Sequence, residues 1–127
     1  MSIVGIGTDI VETDRIRGLL TRHAERFTTR VLSGPERRAM AAIADAAPYV
    51  ARRFAAKEAA AKALGTGIAA GVTFQDFQVG HDPAGRPRLE LSGRARELAE
   101  QSGVAAIHLS LSDERRYALA MVVLETA

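Results

Sequence analysis

Glu58 and Lys62 are a carboxylate and an amine four positions apart in an alanine-rich segment. On a helix this spacing places both side chains on one face. The surrounding alanines favour a helix and keep its flanks thin, so a large ligand can approach it closely. The only other lysine of the chain is Lys57, in the same segment, whereas arginine occurs throughout the chain. The alternative is an ordinary surface ion pair, which stabilises a helix by a few tenths of a kcal/mol. This segment taken alone favours that interpretation.

A second carboxylate, Asp9, stands near the end of the first predicted strand, residues 3–10. Alternation places apolar residues on one face of this strand and Gly5, Gly7 and Asp9 on the other. The two glycines leave room for a ligand or for another backbone, and Asp9 lies at the rim of that space. The alternative is a plain edge strand. A dinucleotide-binding fold is a poor alternative, because no third glycine and no helix start follow Gly7.

The elements that position these residues are predicted to follow the order β-α-α-α-β-β-α-β-β. Predicted strands are residues 3–10, 72–79, 88–91, 105–112 and 117–125. Four helices are predicted. The first starts at Thr13 or Asp14, and the second runs from a capping box at Ser33 through Ile43. The third runs from near Pro48 through Leu64, and the fourth runs from Ser92 through Glu100. This order predicts one α+β domain over residues 1–127, with antiparallel hairpins and a long central helix.

Two histidines receive different interpretations. His23 follows the apolar stripe of the first predicted helix, which favours a packing role. His108 shares a polar strand face with Ser110 and Ser112, which makes it the better functional candidate.

The turn Gly65-Thr66-Gly67 follows the central helix. Glycine turns can hold a phosphate through their backbone N–H groups. A helix C-terminus is nevertheless the wrong dipole end for an anion, so a simple helix stop is the favoured interpretation.

The composition is that of a globular protein: 127 residues, 47% hydrophobic and 25% charged. There is no cysteine, which excludes a disulfide, a thiolate metal site and a cysteine nucleophile. The N-terminus has no basic region followed by a long apolar run, and the longest strongly apolar segment, residues 117–124, is too short to span a bilayer. We therefore expect a cytoplasmic protein that does not enter a membrane.

Positive charge is concentrated between residues 15 and 53, where nine arginines face three acidic residues, a net charge of +6. This predicts an anionic partner: nucleic acid, a phosphorylated ligand or an acidic protein. Nucleic acid is disfavoured, because aromatic residues make up only 5% of the chain and stacking platforms are few. The alternative is a solvated arginine face.

Five ordered blocks resemble the holo-acyl-carrier-protein synthases, the small 4'-phosphopantetheinyl transferases. They are Gly5-Ile6-Gly7-Thr8-Asp9-Ile10-Val11-Glu12, Arg53-Phe54-Ala55-Ala56-Lys57-Glu58-Ala59 with the following Lys62 and glycine turn, Phe74-Gln75-Asp76, Gly85-Arg86-Pro87 and His108-Leu109-Ser110-Leu111-Ser112. The resemblance covers essentially the whole chain. It departs at Asp113, where many members carry a second histidine, so no role of that histidine is carried over.

The resemblance implies a 4'-phosphopantetheinyl transferase fold and transfer of the phosphopantetheine arm of coenzyme A to a serine of acyl carrier protein, in fatty acid biosynthesis. The other product is 3',5'-ADP. It also implies Mg²⁺ at Asp9 and Glu58, in keeping with the one or two carboxylates that this ion usually takes. Glu58 is expected to deprotonate the serine, directly or through a metal-bound water. Lys62 is expected to stabilise the negative charge that develops on the pyrophosphate. The alanines would leave space for the pyrophosphate and the carrier serine.

For the adenosine phosphate end of coenzyme A, the resemblance implies contacts from Arg53, Gly65, Thr66, Gly67, Pro87 and His108. The first helix is expected to receive the acidic carrier protein through Arg15, Arg22 and Arg26.

The family is typically a homotrimer with sites at subunit interfaces. Asp9 and His108 of one subunit would face Glu58 of its neighbour, or the residues would divide in another way. Two alternatives stay open: a non-catalytic trimeric module that binds coenzyme A or nucleotides, and a basic protein that binds nucleic acid.

Overall fold

The computed structural model describes residues 1–127 and has the predicted element order β-α-α-α-β-β-α-β-β. The strands are Ile3–Glu12 (β1), Phe77–His81 (β2), Pro87–Leu91 (β3), Val104–Asp113 (β4) and Tyr117–Thr126 (β5), and the helices are Thr13–Val31 (α1), Gly34–Ala41 (α2), Ala47–Ala63 (α3) and Gly93–Gln101 (α4). The α+β class and the antiparallel hairpins are therefore confirmed. No helix is both long and apolar enough to cross a membrane.

The strands form two antiparallel sheets. The larger sheet has the order β1-β5-β4, and β2 pairs with β3 in a separate hairpin. In the larger sheet Asp9 lies opposite Ala120, which lies opposite Leu111. The turn of the hairpin is closed by Asp82, whose carboxylate accepts the N–H groups of Ala84 and Arg86 at 2.9 Å each.

The long helix α3 packs directly on β1 and β5. A Cβ atom at Gly7 would lie 1.9 Å from the carbonyl oxygen of Ala59, and one at Gly5 would lie 2.0 Å from that of Ala63. Such distances are far inside van der Waals contact, so only glycine permits this approach. Of the two expectations for the glycine face of β1, a second backbone is the one that the structure shows.

The alanines of α3 do not leave space for a ligand, contrary to the sequence interpretation. Ala55, Ala56, Ala59 and Ala60 are at most 1% exposed and belong to the hydrophobic core. Small side chains on a helix let another backbone approach closely, and here β1 and β5 take that room. The alanines set the distance between the helix and the sheet rather than lining an open site.

The other side of the larger sheet, called here the outer sheet face, is apolar and exposed. Its large side chains, each about 40–60% exposed, are Val4, Ile6, Ile10, Tyr117, Leu119 and Met121. The strand pairing places His108 on the same face, because it lies opposite Val123, which lies opposite Ile6. Exposed apolar patches of this kind mark interaction sites.

The helix α1 differs from its prediction. Its N-cap is Glu12, which makes no side-chain capping bond, in place of Thr13 or Asp14. His23 has non-helical angles (φ −141°, ψ 39°) that kink the helix, and it is exposed. The expectation that His23 packs inside is therefore wrong, because the kink breaks the 3.6-residue period on which that expectation rested.

Two other element boundaries also moved. The Ser33 capping box is confirmed, since Ser33 and Glu36 each accept the other's backbone N–H, but α2 ends at Ala41. Within the predicted strand 72–79, Phe74–Asp76 forms a 3₁₀ turn and the strand starts at Phe77. This turn is fixed by tertiary contacts: the Gln75 amide donates to carbonyls at the end of α1, and Asp76 accepts the Ala95 N–H near the start of α4.

Candidate active site

The crossing of α3 over β1 brings Lys62 to Asp9. The Lys62 ammonium lies 3.0 Å from Asp9 Oδ1 and donates to the Thr8 carbonyl at 3.0 Å. The Asp9 side chain is 16% exposed and the Lys62 side chain is 49% exposed, so the pair lies at the rim of the helix–sheet interface. The two residues are 53 positions apart in sequence and meet within one chain.

Glu58 lies one helical turn before Lys62 and is half-buried. Burial raises the pKa of its carboxyl group, and the negative charge of Asp9 raises it further, while Lys62, Arg15 and Arg30 act in the opposite direction. A carboxylate held in this way accepts a proton more readily than an exposed glutamate.

The donor set of this site fits Mg²⁺. The negative charge of Asp9 is near enough to raise the pKa of the Glu58 carboxyl group, and Asp9 already faces a cation in the form of the Lys62 ammonium. Carboxylate oxygens are the ligands that Mg²⁺ prefers, and one or two of them usually suffice when substrate phosphates complete the shell. No group of three or more His, Cys, Asp or Glu side chains lies together anywhere in the chain, so a metal ion at this site would have two carboxylates as its protein ligands.

A cleft of about 480 Å³ opens beside Glu58. Its lining comes from α1, α3 and the segment between α3 and β2: Arg15, Leu19, Phe27, Arg30, Val31, Phe54, Glu58, Ile68 and Phe74. The rings of Phe27, Phe54 and Phe74 form a continuous floor, with centroids 6.1 Å and 5.5 Å apart. The guanidinium groups of Arg15 and Arg30 lie over this floor at 5.8 Å and 5.5 Å. Glu58 therefore faces an aromatic cleft with cationic walls.

The predicted carrier-binding arginines fall in different places along α1. Arg15 borders the Glu58 cleft. Arg26 borders an adjacent groove with His23 and Arg30. Arg22 is exposed but lines neither. Arg30 borders both and was missed in the sequence, where nothing set it apart from the other arginines of the region.

A second region, between β3 and β4, brings together Pro87 and His108. These two predicted coenzyme A contacts line one groove of about 470 Å³, together with Arg86 and Arg88. The Nε2 atom of His108 lies 3.2 Å from Glu125 Oε1. The sequence predicted Pro87 and His108 for one ligand from separate blocks, and the fold makes them neighbours.

The remaining predicted coenzyme A residues already make contacts within the chain. Arg53 is 6% exposed, its guanidinium stacks 4.0 Å from the Tyr49 ring centroid, and its buried Nε has no hydrogen-bond partner. The N–H groups of Gly65, Thr66 and Gly67 all donate to the last carbonyls of α3. The turn is thus a helix stop, as the dipole argument favoured, and its contact with coenzyme A stays a prediction.

Asp113, the position where the family resemblance departs, pairs with α3. Its carboxylate accepts a hydrogen bond from Arg52 at 3.3 Å. This contact ties the end of β4 to the first half of the helix.

The two candidate regions are separated within one chain. Asp9 lies on the edge strand β1 and faces α3, whereas His108 lies on β4, on the outer sheet face. Asp9 is aligned with Leu111 two strands away, and His108 is three residues from Leu111 along β4. These spacings place the Cα atoms of Asp9 and His108 roughly 14 Å apart. A single chain therefore does not unite the Asp9–Glu58 pair with the β3–β4 groove.

A buried ion pair behind the site was not predicted. Lys57 is 0% exposed, and its Nζ donates to Glu36 at 2.6 Å and to the Val31 carbonyl at 2.7 Å. Burial lowers the pKa of Lys57, and Glu36 opposes that change. The only signals in the sequence were the rarity of lysine and the place of Glu36 in the capping box.

Known proteins share this fold. The crystal structure of a holo-[acyl-carrier-protein] synthase from Neisseria meningitidis matches with a TM-score of 0.90 at 41% identity, covering 98% of this chain and 100% of that one. The structure from Helicobacter pylori, in complex with coenzyme A, matches with a TM-score of 0.83 at 32% identity, covering 94% and 99%. The predicted fold class is therefore confirmed.

Sequence comparison agrees. The profile of the 4'-phosphopantetheinyl transferase superfamily matches residues 5–122. A holo-[acyl-carrier-protein] synthase of Vibrio vulnificus is 53% identical over 126 residues, which cover 99% of this chain and 100% of the relative. The chain belongs to the 4'-phosphopantetheinyl transferase superfamily, and the family predicted from the sequence blocks is confirmed.

Proposed function

We propose that this protein is a holo-acyl-carrier-protein synthase that transfers the 4'-phosphopantetheine arm of coenzyme A to a serine of apo acyl carrier protein. The observation that carries the proposal is the meeting of Asp9, Glu58 and Lys62 where α3 crosses β1. The names of full-length relatives and the coenzyme A bound to the Helicobacter pylori structure support the same substrates.

The chemistry follows from the site. The serine Oγ attacks the phosphorus that carries the pantetheine arm, the bond from this phosphorus to the bridging oxygen breaks, and 3',5'-ADP leaves. Glu58 takes the serine proton, for which its raised pKa suits it. Lys62 offers its ammonium to the pyrophosphate as negative charge develops on the leaving group. Asp9 and Glu58 would hold Mg²⁺, which supplies charge neutralisation at the phosphates when bound.

Coenzyme A is proposed to bind with its adenosine phosphate end in the β3–β4 groove. Pro87 offers an apolar surface for the base, and His108, Arg86 and Arg88 surround the groove with donors for phosphate oxygens. The non-catalytic alternative, a module that only binds coenzyme A, is disfavoured because Asp9, Glu58 and Lys62 are all present and close together.

The homotrimer is a proposal supported by the outer sheet face. Ile6 and Ile10 are 57% and 60% exposed in the single chain, and His108 shares their face. Packing of this face against a second copy would bury the apolar patch and bring His108 toward a neighbour's Asp9–Glu58 pair. Light scattering should give three times the chain mass. An active monomer would contradict shared sites.

The acidic carrier is proposed to dock along α1, where Arg15 and Arg30 border the Glu58 cleft. Rim charges mainly set encounter rate and salt dependence. The substitution Arg15→Glu should weaken carrier use by roughly 10-fold while leaving coenzyme A binding near normal. Equal loss of both in steady-state kinetics and calorimetry would contradict this docking surface.

One assay tests the function as a whole. The protein is mixed with apo carrier protein, coenzyme A and Mg²⁺, and mass spectrometry follows the phosphopantetheine mass gain of the carrier. Omission of Mg²⁺ should abolish the gain. Coenzyme A binding without any mass gain would favour the non-catalytic module, and salt-dependent DNA binding without coenzyme A affinity would favour a nucleic-acid-binding protein. Service to fatty acid synthesis and a cytoplasmic location stay predictions.

A further inference from the structure

Lys57 and Glu58 are neighbours on α3 that point in different directions. Consecutive helical residues differ by about 100° around the axis. Glu58 lines the aromatic cleft, whereas Lys57 points into the core and has no exposed atoms. The proposed reaction uses Glu58 and leaves the buried lysine without a role.

Lys57 makes two contacts, and both reach other elements. Its Nζ donates to Glu36 Oε1 at 2.6 Å, on α2. It also donates at 2.7 Å to the carbonyl of Val31, the last residue of α1. Val31 is itself part of the cleft that Glu58 faces. The lysine therefore ties the helix that carries Glu58 directly to the opposite wall of the cleft.

Glu36 completes the connection. Its Oε1 also accepts the Ser33 N–H at 2.8 Å, and its Oε2 accepts the Val79 N–H of β2 at 2.8 Å. The carboxylate is thus shared by three donors from three segments, and it is only 3% exposed. A buried carboxylate with this many charge-assisted bonds holds its partners in one arrangement.

The last carbonyls of α1 are held from two sides. The Gln75 amide donates to the Thr29 and Leu32 carbonyls at 2.8 Å each. The Lys57 ammonium donates a hydrogen bond to the Val31 carbonyl from the interior of the protein. Phe27 and Arg30 lie just before Val31 in α1. The position of the Val31 backbone therefore sets the distance of these two side chains from Glu58.

We propose that Glu36 and Lys57 are positioning residues for transfer: they hold the end of α1, with Phe27 and Arg30, at the distance from Glu58 that the reaction requires. This rests on the proposed function. Neither residue touches substrate. Small misplacements of a catalytic group cost up to about 100-fold in rate.

The test compares three variants on the full-length protein. Glu36→Gln removes the carboxylate charge but leaves Lys57 able to donate to the Val31 carbonyl. Adding Lys57→Met removes that donor at nearly constant volume, and adding Lys57→Gln restores a shorter donor. The matched control is Arg96→Met with Glu100→Gln, which neutralises an exposed ion pair on α4. All are assayed by the carrier mass gain at a temperature where circular dichroism shows complete folding.

The expected order of kcat is wild type, E36Q, E36Q/K57Q and E36Q/K57M, with the last reduced about 10- to 100-fold. The KM for coenzyme A should change less than kcat, and the control should match wild type. If E36Q does not fold, because it leaves the buried Lys57 ammonium without its carboxylate, the comparison of E36Q/K57Q with E36Q/K57M decides, since neither carries a buried charge. If E36Q/K57M does not fold, the step from wild type to E36Q/K57Q decides.

Two results would overturn the inference: a wild-type kcat in a folded variant that lacks the Lys57 donor, or a loss of activity that only follows the folded fraction. Failure of the proposed function is a separate outcome, because wild type itself would then give no mass gain and the inference would fall with it.

Discussion

The two lysines of this protein lie five positions apart on one helix and do opposite things. Lys57 is fully buried, pairs with Glu36 and ties α3 to α1 and α2. Lys62 is half-exposed, pairs with Asp9 at the rim of the sheet and lines an open groove there together with Asp9 and Thr8. Both make one ion pair and one bond to a carbonyl.

The difference between the lysines is therefore one of burial and not of partner type. A buried ammonium that loses its carboxylate, or the reverse, leaves an uncompensated charge in a medium that solvates it poorly. An exposed ammonium can exchange its carboxylate for water or for a substrate phosphate at little cost. Only the exposed lysine is free to move from Asp9 to a ligand, and the buried lysine can only hold the helix in place.

The largest effect is expected at Glu58, on the exposed side of α3. Glu58→Gln should reduce kcat about 10²- to 10⁴-fold, because Glu58 is the proposed acceptor of the serine proton. The fold should persist, since burial already disfavours the charged form of this carboxyl group. The carrier mass gain measures the rate, and Glu97→Gln, an exposed site on α4, is the control. Wild-type turnover in the Glu58 variant would remove this residue from the mechanism.

The lysines themselves give the sharpest contrast. Lys57→Met should destabilise the fold by about 3–5 kcal/mol, because it leaves Glu36 buried and unpaired. Lys62→Met should change the free energy of unfolding by less than about 1 kcal/mol and instead lower transfer. Urea unfolding and the transfer assay separate the two outcomes. Similar losses of stability in both variants would contradict the conclusion that burial separates the roles of the two lysines.

The tight packing of α3 on β1 has its own test. Gly7→Ala places a methyl group against the Ala59 carbonyl and should cost about 1–3 kcal/mol as the helix is pushed away. Gly80→Ala, where a Cβ atom meets nothing within 4 Å, is the matched control in β2. Thermal unfolding measures both. An unchanged Tm for the Gly7 variant would mean that helix and strand are not in firm contact.

The smallest effect concerns the coupling between the two carboxylates. Asp9→Asn should lower the pKa of Glu58 in metal-free protein, because it removes a nearby negative charge. Burial, the largest cause of the raised pKa, is left in place by this substitution. Carboxyl-carbon NMR titration measures it. An unchanged Glu58 titration would show that the two groups are too far apart to share a cation.

Much of the architecture was readable from local patterns. The order of elements, the Ser33 capping box and the helix stop at Gly65 depend on residues close in sequence, and all are present. One error has a nonlocal cause. The 3₁₀ turn at residues 74–76 depends on contacts with α1 and α4. The kink at His23 interrupted a helical period that was extrapolated through it.

Residue types and short spacings predicted the elements and singled out Asp9, Glu58 and Lys62 as residues of interest. The resemblance of five blocks to a known family then indicated what these residues do together. The inward direction of Lys57 and the packing of the alanines against glycines of β1 became visible only in the folded chain. The fold also placed Pro87 with His108 on the far side of the sheet from Asp9. The physical reason is that burial, and hence the role of a charge, depends on which distant segment packs over it.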